Sequence, residues 1–233
     1  MEKICYLIWK PEGVADVDFR DQLIGETAKQ ILSNGAHKLS VLCADETTAP
    51  LEKARISQMD HPLCGMISAW VDLADDRAAI EEAIDRVTER KAGYLVVESV
   101  PLVNTTHTAP TGERTPGTTL LTCLVPKPGM AYDDFLEHWH VVQRRVALET
   151  QATYLYIRNV VVRALTEGAP PWVGIVEEGF PTEAVTDPML WYKAGGSKEK
   201  YEENFAKMME SVQAFLDLSQ IESHPTSEYI IKA

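Results

Sequence analysis

Basic residues and cysteines are scarce in this sequence, and no long apolar run is present. Its 233 residues include 22 Lys and Arg against 35 Asp and Glu, which gives a net charge of −13. Because nucleic acids and anionic membranes are bound chiefly through Lys and Arg, neither is an expected partner. No segment approaches the roughly 20 apolar residues of a membrane span, and the first residues lack the features of a signal peptide. We therefore expect a cytoplasmic protein.

The four cysteines, Cys5, Cys43, Cys64 and Cys123, follow neither disulfide nor metal-ligand spacing, and most lie in apolar runs. This usage predicts buried free thiols in a reducing compartment. The sequence also lacks a Gly-rich phosphate loop, a Gly-x-Ser-x-Gly elbow and a Rossmann fingerprint. Nucleotide cofactors are therefore not expected, and the spacing of the potential ligands predicts no metal site.

The chain contains an internal repeat. Residues 7–13, followed by Asp18 and Phe19, resemble residues 124–129, followed by Asp134 and Phe135. The two phenylalanines are 116 residues apart (135 − 19). Each half continues in the order strand, helix, strand, strand, helix, strand, which is the ferredoxin-like βαββαβ unit.

Apolar runs define the expected strands of both halves. They cover residues 4–9, 37–43, 66–73 and 94–98, and then residues 120–125, 153–162, 172–177 and 228–231. A sheet with both helices on one face leaves its other face apolar, and two copies bury that face most simply against each other. The expected fold is α+β: two tandem ferredoxin-like domains, residues 1–103 and 118–233, joined by a linker at 104–117 and forming a pseudo-dimeric α+β barrel within one chain.

Motifs of the second half resemble those of the EthD-domain proteins, which belong to the dimeric α/β-barrel superfamily. The resemblance covers nearly the whole chain as two EthD-like domains, of which the first is degenerate. The family pattern places a histidine before a Gly-Pro or Ala-Pro pair, whereas this chain has Gln143-Arg144-Arg145 there. The motifs that carry the resemblance are Lys127-Pro128-Gly129-Met130-x-x-Asp133-Asp134-Phe135-Leu136-Glu137-His138-Trp139, then Tyr154, and then Gly179-Phe180.

Two histidines of the second half are the candidates for proton transfer. On an α-helix each residue advances by about 100°, so His138 and His140 lie about 160° apart and cannot share a metal ion. Each is either a packed or surface histidine, or an acid/base group at the mouth of a pocket. The same arithmetic predicts one buried stripe on this helix: Phe135, Trp139, Val142 and Val146.

The strand that follows supplies candidates for ligand binding. Tyr154, Tyr156 and Arg158 alternate, so they share one face of the strand. A guanidinium among tyrosines suits a carboxylate or an enolate, although a solvated outer face gives the same pattern. Aromatic residues that could line an apolar pocket complete the predicted ligand-binding set, which consists of Trp139, Gln143, Arg144, Tyr154, Tyr156, Trp172, Trp191 and Tyr192. The loop histidines, His61, His107 and His224, are expected to be solvated.

The residues and the resemblance together favour a cofactor-independent enzyme acting on an apolar, oxygenated small molecule, such as an aromatic compound or a keto acid. The expected class is a lyase, cyclase or isomerase in which His140 or His138 moves the proton and Arg158 holds an anionic oxygen. Superfamily relatives that bind haem, or oxidise aromatic substrates without a cofactor, supply the alternative of an oxidoreductase. A non-catalytic small-molecule binder is the third hypothesis, and a homodimer of the tandem chain is expected.

Overall fold

Eight strands close into one antiparallel barrel in the computed structural model, which describes residues 1–233. Around the barrel the strands follow the order β1-β3-β2-β8-β5-β7-β6-β4. The α+β barrel that the sequence predicts is therefore confirmed. The strands are β1 (Glu2–Trp9), β2 (Lys38–Cys43), β3 (Gly65–Val71), β4 (Arg90–Leu102), β5 (Thr118–Leu124), β6 (Leu155–Ala164), β7 (Gly174–Phe180) and β8 (Glu222–Lys232).

Each half of the chain contributes four neighbouring strands in the same relative order. The first half runs β4-β1-β3-β2, and the second half continues in the same direction around the barrel as β8-β5-β7-β6. Two seams join the halves, because β4 pairs with β6 and β2 pairs with β8. The barrel therefore has no free strand edge.

The helices lie outside the barrel and cover the two halves separately. They are α1 (Asp16–Gln22), α2 (Ala28–Ser33) and α3 (Ala78–Asp85) in the first half, and α4 (Tyr132–Glu137), α5 (Arg144–Thr150), α6 (Thr182–Thr186), α7 (Pro188–Trp191) and α8 (Lys198–Phe215) in the second. Two short 3₁₀ segments, Ala49–Ala54 and Ala74–Asp76, complete the first half. None of these helices combines the length and the apolar character that crossing a membrane demands.

A π-helical segment interrupts the first long helix of each half. We call them π1 (Leu23–Thr27) and π2 (His138–Gln143). A π-helix bonds residue i to residue i+5, so its turn is wider than the α-turn assumed in the prediction. The predicted buried stripe is consequently wrong beyond Trp139: Phe135 and Trp139 are buried, whereas Val142 and Val146 are only half-buried.

The barrel interior is largely apolar but also contains buried charged side chains. Lys3 is buried there, with its Nζ 2.6 Å from Glu98 and 3.3 Å from Glu177. The Glu177 carboxylate also accepts a hydrogen bond of 2.9 Å from Asn159 Nδ2. Because Lys3 comes from the first half and Glu177 from the second, this ion-pair network connects the two halves inside the barrel.

The space between sheet and helices is filled differently in the two halves. In the first half it holds a cluster of 19 buried apolar residues, whereas the corresponding cluster of the second half has 8. Tyr6 is fully buried in the first-half cluster, and its hydroxyl donates a 3.0 Å hydrogen bond to Glu81. The thinner packing of the second half leaves room for a cavity.

Candidate active site

A cavity of about 310 Å³ lies between the sheet and the helices of the second half. Side chains of β5, β6, β7 and β8 form its floor, while π2 and α8 form its roof. Small-molecule sites occupy roughly 300–1,000 Å³, so the cavity suits a small ligand. Most of its lining is apolar, including Trp139, Trp191, Met208 and Phe215.

One carboxylate stands on the floor of this cavity. Glu178 of β7 lies between Leu120 of β5 and Tyr156 of β6 in the strand register. It is half-buried, and no lysine, arginine or other donor pairs with its side chain. Burial without a compensating charge raises the pKa of Glu178 to about 7. A carboxyl group that titrates near neutrality can both accept and return a proton at physiological pH.

Tyr156 lies opposite Glu178 on the neighbouring strand and also lines the cavity. Cross-strand partners on one face have Cβ atoms about 4.5–5.5 Å apart, so Tyr156 and Glu178 are direct neighbours. The Tyr156 hydroxyl accepts a 3.2 Å hydrogen bond from Trp139 Nε1, and its own proton has no acceptor in the structure. Burial, reinforced by the Glu178 charge, raises the pKa of Tyr156. The phenol therefore stays protonated and can donate to a ligand oxygen.

Two glutamines add hydrogen-bonding capacity to the cavity wall. Gln143 Nε2 lies 3.3 Å from Sδ of Met208, and the buried Oε1 of the same amide has no partner. Gln151 is 7% exposed, and its side-chain amide makes no hydrogen bond. An unpaired buried amide oxygen is costly, so Gln143 Oε1 is available to a polar atom of a ligand. The Gln151 amide, which has no partner in the protein, can bind a ligand as well.

The two predicted catalytic histidines lie outside the cavity lining. His138 Nε2 is 3.2 Å from Ser211 Oγ, and its ring stacks on Phe215 at 4.9 Å between ring centroids. His140 packs beside Trp139, and its buried Nε2 has no partner. Burial, with Arg158 as the next cause, lowers the pKa of His140. The imidazoles face different neighbours, as the sequence predicts, but neither lines the space that holds Glu178.

Arg158 and Arg144 do not reach the cavity either. Arg158 is buried and donates hydrogen bonds of 3.1 Å to Ser99 Oγ and 3.2 Å to the backbone oxygen of His140. Arg144 is exposed on the helix surface. The structure thus gives Arg158 a place behind the Tyr156 ring, 6.0 Å from its centroid, where it fixes the backbone of π2.

The predicted aromatic residues have four different surroundings. Trp139, Tyr156 and Trp191 line the cavity together with Gln143, whereas Tyr192 lines only a neighbouring cavity. Trp172 lies inside the barrel against Tyr94, because it precedes β7 and turns toward the barrel axis. Tyr154 precedes β6, stacks on His107, and donates a hydrogen bond of 2.9 Å to the backbone oxygen of Pro116.

The expectation that His224 is a solvated loop residue is wrong. His224 belongs to β8, is 2% exposed, and has its Nε2 2.8 Å from Glu222 Oε2. Burial lowers its pKa. The adjacent Pro225 indicates a loop in the sequence, yet the strand continues through it. The other two differ: His61 is half exposed, and His107 is held between Thr106 and the Tyr154 ring.

Sequence reasoning missed Glu178 altogether. The predicted strand ends at residue 177, one position before this carboxylate, whereas β7 continues to Phe180. A signal was present, because Val176, Glu178 and Phe180 alternate with Ile175, Glu177 and Gly179 along the strand. A strand buried on both faces that carries two acids places one of them on each buried face.

Haem does not fit the residues that surround the cavity. No histidine or cysteine belongs to its lining, and the two helix histidines that could serve as axial ligands, His138 and His140, lie outside it. Nor does any group of three or more His, Cys, Asp or Glu side chains have the arrangement of a metal site. The chemistry available in the cavity therefore comes from Glu178, Tyr156 and the glutamine amides.

Solved structures share this architecture. An anthrone oxidase-like protein matches the whole chain and 94% of its own, with a TM-score of 0.57 and 10% identity. A putative monooxygenase from Lactobacillus acidophilus matches the whole chain and 97% of its own, with a TM-score of 0.50 and 10% identity. A dye-decolorizing peroxidase from Bacteroides thetaiotaomicron matches 99% of this chain and 93% of its own, with a TM-score of 0.51 and 8% identity.

The chain has the ferredoxin-like α+β barrel fold of these proteins. At such low identity the likeness concerns the fold alone, and it does not single out the EthD proteins within the superfamily. No family model and no curated protein matches the sequence. The function must therefore be argued from the cavity.

Proposed function

We propose that the chain is a small-molecule enzyme that transfers a proton on an apolar, oxygenated ligand bound in the second-half cavity. The observation that carries this proposal is Glu178, a carboxylate without a counterion on an apolar floor. An apolar environment holds such a group near the pKa that suits a general base at neutral pH. The proposal moves proton transfer from His138 and His140 to Glu178, because neither histidine lines the cavity.

Tyr156 and Glu178 together determine which ligand atoms take part in the proton transfer. The ligand carbonyl accepts a hydrogen bond from the Tyr156 hydroxyl, whose proton has no other acceptor. Glu178 removes a proton from the carbon next to that carbonyl, and the electron pair of the broken C–H bond moves into an enolate. Tyr156 stabilises the enolate oxygen, and protonated Glu178 returns the proton at the same or at another carbon. This sequence is an isomerisation, and it is also the first step of an elimination of water.

The proposal retains the resemblance to EthD-domain proteins and the division into domains at residues 1–103 and 118–233. The lyase, cyclase or isomerase class follows from a proton transfer that needs no further reactant. The anthrone oxidase-like structure directs the choice of probe, since anthrone is an apolar ketone with an acidic methylene group. Carboxylated phenols and β-keto acids, screened for released water or CO₂, extend the search for the natural substrate.

Hydrogen–deuterium exchange at the anthrone methylene tests the proposal without any oxidant or cofactor. We expect the protein to accelerate this exchange in D₂O above the rate in buffer, with a rate that rises with pH and levels off above about 7, as the base form of Glu178 accumulates. Glu178→Gln should lower the protein-dependent rate at least about 100-fold, the range of general-base catalysis. Its anthrone affinity should change by no more than about threefold.

His138→Ala and His140→Ala are the matched controls. Since neither side chain lines the cavity, both variants should keep the exchange rate within about threefold of the original protein. Exchange that survives Glu178→Gln but disappears in a histidine variant would restore the assignment expected from the sequence. Binding of anthrone with no exchange above buffer, at any pH between 6 and 9, would instead identify a non-catalytic binder.

A further inference from the structure

A second cavity of about 280 Å³ adjoins the one that contains Glu178. The two share five lining residues, so they have a common wall rather than merely similar positions. We call the cavity with Glu178 the inner chamber and the second cavity the outer chamber. The shared residues are Ile56, Leu120, Gln151, Trp191 and Ser223.

The outer chamber is built largely from apolar residues outside the sheet. Its far wall comes from α6 and α7, through Ala184, Val185 and Pro188. Asp187 fixes the start of α7 by accepting a 2.8 Å hydrogen bond from the backbone nitrogen of Met189. Trp191 stands between the chambers and stacks on Phe180, with 3.8 Å between the ring centroids. The wall is therefore ordered and apolar.

The remaining wall comes from the first half of the chain. Ile56 pairs with Ser223 of β8 through two backbone hydrogen bonds, each of 2.8 Å. Its side chain is 44% exposed while it lines both chambers, so it stands at the rim of the opening. The two bonds hold Ile56 in place, which makes it a fixed part of the entrance.

We propose that the outer chamber is a binding subsite for the apolar tail of the ligand whose carbonyl head lies beside Glu178. Leu120 lies next to Glu178 in the strand register and lines both chambers, so it marks the path from head to tail. Gln151, with its unpaired amide at the junction, selects a ligand that carries a second polar atom between the two parts. The substrate class is thus an elongated ketone or enol with an extended apolar tail. This inference rests on the proposed function for the position of the head.

Binding of a homologous series of 2-alkanones, from 2-pentanone to 2-undecanone, tests the subsite by calorimetry. Each methylene that becomes buried contributes about 0.8 kcal/mol, so the affinity should rise about fourfold per carbon until the outer chamber is full. Val185→Trp places a bulky ring in the far wall of that chamber, at a residue that does not line the inner chamber. In this variant the rise should stop at a shorter ketone. The longest ketones should bind at least about tenfold more weakly, whereas 2-pentanone should bind within about twofold of the original protein.

Leu73→Trp is the control, because it adds the same ring at a residue that is 59% exposed and lines neither chamber. An affinity that does not grow with tail length, or a series that Val185→Trp leaves unchanged, overturns the subsite. Running the series in Glu178→Gln separates the two proposals. If tail dependence persists while exchange is unaffected by that substitution, the subsite stands and the proposed proton transfer fails. If exchange requires Glu178 but the affinity does not change with tail length, the proposed proton transfer stands and the subsite fails.

Discussion

The two halves of the barrel present the same framework with different contents. Ala69 of β3 pairs with Ile4 and Leu39, just as Glu178 of β7 pairs with Leu120 and Tyr156. Ile4 and Leu120 are 116 residues apart (120 − 4), which is the spacing of the repeat. The second half thus has Glu178 opposite Tyr156, whereas the first half has Ala69 opposite Leu39.

The same contrast holds on the helix above. Leu23 and Trp139 are 116 residues apart (139 − 23), both are fully buried, and each lies in the π-helical segment of its half. The π-turn therefore does not by itself create a cavity. The side chains decide, because Tyr6 and its neighbours fill the first half whereas the second half leaves about 310 Å³ free. The comparison teaches that one framework supports either a solid core or a binding site.

The largest expected effect comes from introducing a glutamate into the first half, at the position that corresponds to Glu178 in the second half. Ala69→Glu buries a carboxylate in a packed cluster with no cavity and no counterion. We expect the free energy of unfolding to fall by more than about 4 kcal/mol, since a buried unpaired charge is among the most destabilising changes. Urea denaturation measures the loss. Val97→Glu, at a residue that is 60% exposed on β4, should change the stability by no more than about 0.5 kcal/mol. A similar midpoint for both variants would mean that the first half has hidden space.

A smaller effect is expected from removing the acid that the second half tolerates. Burial raises the pKa of Glu178 from 4.5 to about 7, so between these values the folded chain binds more protons than the unfolded chain. The contribution of Glu178 to stability should therefore be complete below pH 4.5 and should fall, by about 3 kcal/mol, as the pH rises to 7. Glu178→Gln should lack this decline. Urea denaturation at pH 4.5 and at pH 8 measures it, and parallel pH profiles for the two proteins would contradict the assignment.

The smallest expected effect comes from introducing a phenylalanine at equivalent positions of the packed first half and of the second half, which contains the cavity. Ile67 pairs with Tyr6 as Val176 pairs with Thr122, so the two residues occupy equivalent places. Ile67→Phe should cost about 1–3 kcal/mol through overpacking, whereas Val176→Phe should fill the cavity at a cost below about 1 kcal/mol. Thermal denaturation compares the two variants. Ligand binding should be lost only in Val176→Phe, and equal stability losses would argue that the cavity is not available to a larger side chain.

The sequence predicts the fold well because the fold depends on long, redundant patterns. The internal repeat, the eight apolar runs and the order of strands and helices in each half all agree with one another. These features fix the α+β barrel before any single residue matters. Even the long helix α8 (Lys198–Phe215) begins at a serine cap, since Ser197 Oγ accepts a hydrogen bond from the Lys200 backbone.

The site was less predictable because it depends on local departures from regular geometry. The π2 turn changes which residues after Trp139 face the sheet, and helix arithmetic at a fixed angle does not detect it. Glu178 looks like an ordinary solvent-facing strand residue until the cavity above it is seen. Of the predicted ligand-binding residues, Trp139, Gln143, Tyr156 and Trp191 line that cavity. Residue type alone singled out His138, His140 and Trp172, and tertiary packing decided their surroundings.

The pairing of β4 with β6 and of β2 with β8 leaves each half dependent on the other for both of its outer strands. Either half on its own would present two unpaired strand edges, together with the apolar sheet face that lines the barrel. If the chain were cut between β4 and β5, the most complementary surface available to each fragment would be the other fragment. The protein is thus suited to reassembly from two separately produced fragments. Recovery of ligand binding in the cavity would show that the fragments had associated.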